Sequence, residues 1–359
     1  AGALAPGRRT VSGAVSTGSV TEDSRTASWD AKTPSSTVVR IGQRAYEWRE
    51  YSTSAEPVRG WSHHGVVVGP AGEGLVAASP DGRALVRVVA GRATRSVDMP
   101  VTECHGMSVD AHGADYAIWI ADNGTKFDYR ERGDHLDVDR PGQVVRVDVT
   151  GRPLQVITDG ALPEAARGWR PTAVASEAEA EGGRIWVADG YGRSLVHCFA
   201  RSGEPLWTTD GGDSGLAFAQ PHAIFLDTRR AVPELLVADR RNKRIVVLTT
   251  EGRFLRSYGV GEVTSPSGFA LDGDLLWVTE LNGAIVAFDR DDRLVAKLGG
   301  STASDEEGWP NTLVGDEMVR SALVPGVFRS PHGIAIDDAG VIAVTEWVIG
   351  GRLIVLTPR

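Results

Sequence analysis

Short apolar strands recur along the whole chain, separated by turns rich in Gly and Asp. One strand type ends in Ala-Asp or Thr-Glu, as in "IWIAD" from Ile118, "IWVAD" from Ile185 and "LWVTE" from Leu276. A strand opening with His, Thr or Ser before a small residue precedes it, and further short strands follow. Runs of this length, bounded by turn residues, are typical of β-strands rather than helices. The pattern predicts an all-β chain built from an internal repeat.

The repeat occurs six times and predicts a six-bladed β-propeller with NHL-type repeats. Its units open at positions 63, 104, 171, 221, 266 and 331, and the last unit ends at Arg359 after three strands. The segment "TVVRIGQRAYEWREY" (37–51) is expected to supply the missing outer strand, so that an N-terminal strand closes the ring and removes an exposed edge. We therefore predict a flexible N-terminal arm over residues 1–35, rich in Ser, Thr, Gly and Ala, and a propeller over 36–359. Polar insertions at 123–143 and 300–327 should decorate one face.

Composition narrows the classes of partner. The formal net charge is −9, and no basic stripe is present, which argues against nucleic acid. No apolar run approaches the length that spans a bilayer, and "AGALAPGRRT" has no apolar signal-peptide region, so membrane partners are not expected and localisation stays open. Two cysteines provide neither a disulfide framework nor a metal motif. Oligomeric state is likewise left open.

Histidine recurs at the opening of the first strand of the repeat. His105, His222 and His332 occupy this point in blades two, four and six, with Thr172 and Ser267 in blades three and five. Because the innermost strand of each blade lines the central channel, side chains from alternate blades should converge on the axis. Three neutral imidazoles with an open fourth position are a known arrangement for catalytic zinc and similar divalent ions. The sequence predicts a metal site there, with a hydrogen-bonded channel cluster as the alternative.

The fourth such histidine, His64 in blade one, lies outside the three-fold set. It is interpreted either as a general acid or base, or as a group that supports a metal ligand, or as a neutral structural residue. His63 is given only a structural role. The acidic residue that ends the second strand in five blades is expected to accept hydrogen bonds from loop N–H groups. In contrast, Tyr191 and Arg240 in the following loops interrupt the repeat, so blade geometry does not explain them.

The segments "VADGYGRSLVHCFARSGE" and "QPHAIFLD" followed by "LLVADRRNKRIVVL" resemble the lyases that cleave peptidyl-α-hydroxyglycine to an amidated peptide and glyoxylate. The likeness covers residues from about 60 to 358. It implies a six-bladed propeller with zinc held by His105, His222 and His332. It also implies a catalytic tyrosine at Tyr191 and a substrate-binding arginine at Arg240.

Two departures from that family are visible. A second family arginine falls near "VAASPDG", where this chain has Ser79 and Pro80. The family's structural calcium uses an aspartate directly after the last zinc histidine, where this chain has Gly333, so calcium is not expected.

These residues support two functional hypotheses of different class. The first is a metal-dependent lyase acting on a small carbinolamine or hydroxy-acid-like substrate, free or at a peptide terminus, in the central channel. There the metal would polarise an oxygen, Tyr191 would carry a proton and Arg240 would pair with a carboxylate. The second is a non-catalytic propeller that binds a protein or carbohydrate, since fold alone implies no activity.

Overall fold

The computed structural model describes residues 37–51, 60–70, 73–89, 92–112, 115–129, 135–178, 181–300 and 302–359. Within these ranges the chain forms strands joined by turns, with short 3₁₀ helices at Asp159–Ala161, Glu164–Ala166, Gly212–Ser214 and Thr302–Asp305. No helix in the described ranges is long and apolar enough to cross a membrane. The arm predicted over residues 1–35 lies outside the described residues.

The strands form six antiparallel blades arranged as a propeller, as the sequence predicts. The chain begins with a hairpin of β1 (Thr37–Ile41) and β2 (Arg44–Tyr51). Blade one follows with β3 (Val66–Val68), β4 (Leu75–Ala78), β5 (Ala84–Val89) and β6 (Arg92–Asp98). Blade two contains β7 (Gly106–His112), β8 (Asp115–Asp122), β11 (Gln143–Asp148) and β12 (Pro153–Thr158), with β9 (Thr125–Tyr129) and β10 (His135–Asp139) forming an inserted hairpin.

The remaining blades have the same inner-to-outer order. Blade three contains β13 (Ala173–Ser176), β14 (Ile185–Asp189), β15 (Leu195–Phe199) and β16 (Pro205–Thr209). Blade four contains β17 (Pro221–Asp227), β18 (Glu234–Asp239), β19 (Arg244–Thr249) and β20 (Phe254–Tyr258). Blade five contains β21 (Pro266–Asp272), β22 (Leu275–Glu280), β23 (Ala284–Phe288) and β24 (Leu294–Gly299). An inserted hairpin of β25 (Thr312–Val314) and β26 (Glu317–Val319) precedes β27 (Pro331–Ile336), β28 (Ile342–Glu346) and β29 (Arg352–Pro358) of blade six.

Ring closure by an N-terminal strand is confirmed, with one difference. The sequence suggests a single closing strand, whereas the segment forms two, because Gly42 adopts a positive φ of 58° and turns the chain back on itself. Strand β2 pairs with β29 from Tyr46–Pro358 to Tyr51–Leu353, and β1 adds a fifth strand outside it. The buried Arg352 also bonds to Glu50 of β2 and to Glu346 of β28. The hairpin of β1 and β2 and the strands of blade six are therefore joined within one sheet.

The hydrophobic core is divided among the interfaces between blades. Six clusters of buried side chains lie between neighbouring blades, and one of them joins blade six to blade one. The second strands are almost entirely buried, and their tryptophans Trp119, Trp186 and Trp277 are at most 1% exposed. Outer strands such as β20 alternate between half-buried and exposed positions. Burial on both faces explains why second strands read as continuous apolar runs, while outer strands alternate.

Candidate metal centre

The loops that carry the channel histidines are anchored by the recurring carboxylates. In blade two the Asp122 carboxylate accepts hydrogen bonds from the backbone N–H groups of Thr102 and Glu103, which precede His105. In blade six Glu346 does the same for Arg329 and Ser330, ahead of His332. Equivalent bonds to Asp189, Asp239 and Glu280 fix the loops of blades three, four and five. These acids therefore have the structural role that their recurrence predicts.

The anchored loops bring three histidines of alternate blades together at the axis. One ligand atom from each of His105, His222 and His332 lies within 4.8 Å of the others, and all three residues are buried. Burial lowers the pKa of each imidazole well below its ordinary value, so the rings are neutral near pH 7. Neutral imidazole is the form that binds a metal ion.

Backbone carbonyls of the intervening blades fix which nitrogen carries the proton. The Nδ1 of His105 lies 2.6 Å from the carbonyl oxygen of Thr172, and the Nδ1 of His222 lies 3.1 Å from that of Ser267. A carbonyl oxygen only accepts, so each Nδ1 must be the donor. Each Nε2 is then left with a free lone pair directed toward the axis. Second-sphere bonds of this kind orient metal-ligating histidines in proteins.

Tyr191 lies at the point where these lone pairs converge. Its hydroxyl oxygen is 3.3 Å from the Nε2 of His105 and 3.2 Å from the Nε2 of His222. Burial raises the pKa of Tyr191, and the nearby Arg240 lowers it in part. A phenol has one proton and cannot satisfy several acceptors, so the arrangement leaves acceptor capacity that a cation would satisfy.

The surroundings of His332 also indicate a site for a cation. Among the described residues, neither of its ring nitrogens has a hydrogen-bond partner, although the side chain is buried. An unsatisfied buried polar group costs about 1–3 kcal/mol, and coordination of a metal would remove that cost at one nitrogen. The residues present therefore fit a divalent ion of the zinc type, for which three imidazoles with an open position are a known donor set.

Arg240 is buried beside the same site. Its guanidinium donates to the Ser267 hydroxyl over 2.8 Å and to the Pro266 carbonyl, at the start of the inner strand β21 of blade five. Burial lowers the pKa of Arg240, and the neighbouring Tyr191 opposes that shift. The sequence-predicted pair of Tyr191 and Arg240 is thus brought together next to the histidine triad.

His64 makes no contact with this cluster among the described residues, so the structure adds no support for the predicted acid–base role. Its Nε2 lies 3.0 Å from the Glu346 carbonyl oxygen, at the seam between blades six and one, and burial lowers its pKa to about 4. The structural alternative is the better description. The residue that enters the site from blade one is instead His63, for which the sequence predicts only a structural role.

His63, rather than His64, enters the site because blade one departs from the repeat. Ser79 occupies the position where the other blades have an anchoring acid, and its hydroxyl bonds to Asp81. The loop is held by Glu103 of blade two, which accepts both the backbone N–H and Nδ1 of His63. This substitution turns His63 toward the axis. The only signal of this arrangement in the sequence is that three features coincide. The anchoring acid of blade one is absent, a second histidine precedes His64, and a glutamate stands at position 103.

Two further features border the site. Trp347 of blade six stacks on His63 with ring centroids 4.4 Å apart, and Trp61 stacks on Trp347. Trp309, from the insertion that contains β25 and β26, meets the edge of Trp347. Along the inner strands a cavity of about 520 Å³ extends from the histidines, lined by both polar and apolar groups. The triad therefore lies in the channel, with aromatic side chains around His63.

Comparison with known proteins supports the enzymatic interpretation. No protein-family profile matches the chain. A Caenorhabditis elegans protein named as a probable peptidyl-alpha-hydroxyglycine alpha-amidating lyase is 25% identical over 248 residues, or 67% of this chain. The resemblance to the amidating lyases is confirmed. The chain spans 60% of the length of that relative.

Solved structures share the fold at lower sequence identity. A streptogramin B lyase aligns over 88% of this chain and 98% of its own, with a TM-score of 0.51 and 13% identity. A gluconolactonase from Xanthomonas campestris aligns over 90% of this chain and 94% of its own, with a TM-score of 0.55 and 15% identity. At these identities the likeness shows the propeller fold alone.

Proposed function

We propose that this protein is a metal-dependent lyase that cleaves a C–N or C–O bond in a small carbinolamine or hydroxy-acid-like substrate, free or at a peptide terminus. The substrate would be bound in the central channel, and it would carry a carboxylate. One observation carries the proposal. Three buried imidazoles from alternate blades direct their ring nitrogens to one point, where the Tyr191 hydroxyl lies 3.2–3.3 Å from two of them.

His105, His222 and His332 would hold the ion. When bound, a divalent metal of the zinc type supplies Lewis acidity that polarises a substrate oxygen and favours its deprotonated form. The neutral state of the three imidazoles and the carbonyl bonds at Nδ1 of His105 and His222 support this role.

Tyr191 would handle the proton of the reaction. In a carbinolamine the hydroxyl loses its proton, the freed electron pair forms the C=O bond, the C–N bond breaks, and the departing nitrogen takes up a proton. The balance needs no oxidant or reductant. A buried phenol next to the reacting oxygen can hold or transfer that proton as a general acid or base.

Arg240 would bind the substrate carboxylate. Its guanidinium is fixed at the channel by Ser267 and Pro266, and a planar guanidinium pairs with a carboxylate through two parallel hydrogen bonds. Burial strengthens such a pair because few water molecules compete. The carboxylate would thereby orient the scissile bond toward Tyr191 and the histidines.

The test uses the purified full chain, loaded with zinc, and a peptide ending in α-hydroxyglycine. We expect glyoxylate and the C-terminally amidated peptide as products, measured by mass spectrometry, and little product from the His105→Ala variant. A panel of small 2-hydroxy acids tests the alternative C–O cleavage. If the zinc-loaded protein converts none of these compounds, the proposal fails, and a non-catalytic propeller that binds a protein or carbohydrate becomes the better description.

A further inference from the structure

His63 contacts the centre of the site although it does not belong to the histidine triad. Its Nδ1 lies 2.9 Å from Oε1 of Glu103, its ring stacks on Trp347, and its Nε2 lies 3.5 Å from the Tyr191 hydroxyl oxygen. The ring is also 4.8 Å from that of His105, centroid to centroid. The imidazole is therefore held on several sides, with one nitrogen facing Tyr191.

Glu103 determines which nitrogen of His63 carries the ring proton and which one faces Tyr191 with a lone pair. Its Oε1 accepts the backbone N–H of His63 at 3.1 Å as well as the contact from Nδ1. With Glu103 ionised, Oε1 can only accept, so Nδ1 carries the ring proton and donates it. Nε2 then has only a lone pair to offer, and the group facing it is the Tyr191 hydroxyl. A carboxylate–imidazole–phenol chain can then form, with the phenol as the donor to His63 across 3.5 Å.

We infer that His63 is a positioning residue that acts through Tyr191: it accepts the hydrogen bond of the phenol, and Glu103 fixes the tautomer that makes this possible. The inference rests on the proposed function, in which Tyr191 handles the proton. Without His63, the phenol could donate only to Nε2 of His105 or His222 among the acceptors described above. Those are the lone pairs that the triad would use for a metal. His63 directs the phenol proton away from them and turns the oxygen lone pairs toward the centre of the triad.

Comparison of the six blades indicates that His63 has a role beyond the structure of its blade. The residue before the His, Thr or Ser that faces the channel is proline in blades three to six and Cys104 in blade two. The blade structure itself therefore needs no imidazole at this position. A buried carboxylate–imidazole pair loses hydration that an apolar residue would not lose. The histidine of this pair also belongs to the one blade that lacks the anchoring acid. Blade one has therefore exchanged a structural anchor for a polar pair directed at Tyr191.

The first test compares kinetics of single and double variants on the substrate that the wild-type enzyme converts. His63→Phe keeps a ring against Trp347 but removes the acceptor, and we expect kcat to fall about 10- to 100-fold, as for other outer-sphere partners, with KM nearly unchanged. In the Tyr191→Phe background the same change should have almost no further effect, since the two residues act as a unit. His63→Gln, which can still accept a hydrogen bond, should recover part of kcat. The inference would be overturned if the losses of kcat in the two single variants multiply in the double variant. A change in KM alone would overturn it as well.

The second test needs neither metal nor activity. Incorporating tyrosine labelled with carbon-13 at Cζ gives one signal for each of the six tyrosines, and Tyr191→Phe identifies the signal of Tyr191. We expect that signal to shift in His63→Phe and to stay in place in His197→Gln, which alters another buried histidine, bonded to Thr208 in an outer part of blade three. An unchanged Tyr191 signal in His63→Phe would overturn the inference, even if the lyase activity is found. A shifted signal supports it, even if no substrate is converted.

Discussion

At the scale of single residues, the chemistry of the site depends on groups that the repeat does not require. Tyr191 and Arg240 replace ordinary loop residues, and the structure brings them together beside three buried imidazoles. Their backbone N–H groups bond to loops of their own blades, and the Arg240 side chain also bonds to Ser267 of blade five. Each can therefore be altered without removing a part of the core.

Tyr191 and Arg240 should differ in their kinetic effects. Tyr191→Phe removes the proton-carrying hydroxyl but keeps the ring, so kcat should fall by roughly 10²- to 10⁴-fold, the usual contribution of general acid–base catalysis. Arg240→Ala removes a ground-state contact to the carboxylate and should mainly raise KM. Steady-state kinetics on the same substrate measure both. Equal effects on KM from the two variants would contradict the assigned roles.

The triad could be predicted from the sequence because it follows the repeat, whereas His63 could not. Matching positions in alternate blades must converge at the axis, so His105, His222 and His332 follow from counting. His63 and His64 are neighbours in sequence, and only the anchoring of their loop decides which one faces the channel. That anchor is a bond to Glu103 in another blade, and repeat spacing carries no information about it.

At the scale of elements, the link between the second strand and the channel loop is the main device that places the site. In blade four Asp239 accepts the N–H of Ala219, three residues before His222, and also bonds to Arg244 and Asn242. Asp239 and Arg244 are both buried. The loop, the strand end and the ion pair thus form one unit.

Removing this acid should destabilise the protein and loosen the loop. Asp239→Ala leaves Arg244 buried without its carboxylate, and breaking a buried pair in this way costs about 3–5 kcal/mol of unfolding free energy. Asp213→Ala, which alters an exposed acid in a nearby loop, serves as the control. Chemical denaturation measures the difference. If the two variants unfold at the same denaturant concentration, the anchoring role of Asp239 is wrong.

Ring closure provides a second test at this scale. A protein truncated before residue 37 keeps the β1–β2 hairpin, whereas truncation before residue 52 removes it together with the buried Tyr46 and Trp48. Loss of large buried aromatics costs about 3–5 kcal/mol each, which is most of the stability of an ordinary domain. The longer truncation should unfold at a much lower temperature than the shorter one. Equal melting temperatures would contradict closure by β2.

The sequence indicated where the ring closes but not how many strands close it. The fourth strand was missing from blade six by count, and only one segment could supply it. The turn at Gly42 depends on a positive φ, and the alternation of residues 37–51 is compatible with one bent strand or two. Only the pairing of β1 with β2 distinguishes these possibilities.

At the scale of the whole molecule, stability and the metal site should be largely separate. The core is distributed over six interfaces between blades, and the histidine triad belongs to none of the six clusters. A propeller of this kind does not need an ion to fold. The histidine site can then be formed before any metal binds, and the metal is not required to hold the fold together.

Chelation should accordingly leave the fold intact. The metal-free protein should keep its β-sheet circular dichroism and unfold cooperatively. Zinc at about 100 times its Kd should add roughly 2.7 kcal/mol by mass action, seen as a rise in Tm. The His105→Ala variant should lose that rise. Unfolding of the wild-type protein by a chelator alone would show that the ion is structural.

The most direct test of the account is the metal content of the purified protein. After loading and extensive dialysis, elemental analysis should find about one divalent ion per chain, as expected for a single three-histidine site. The triple variant His105→Ala, His222→Ala, His332→Ala should bind none while keeping the circular dichroism of the wild type. Stoichiometric metal in the folded triple variant, or none in the loaded wild type, would contradict the central claim that these histidines form the metal centre.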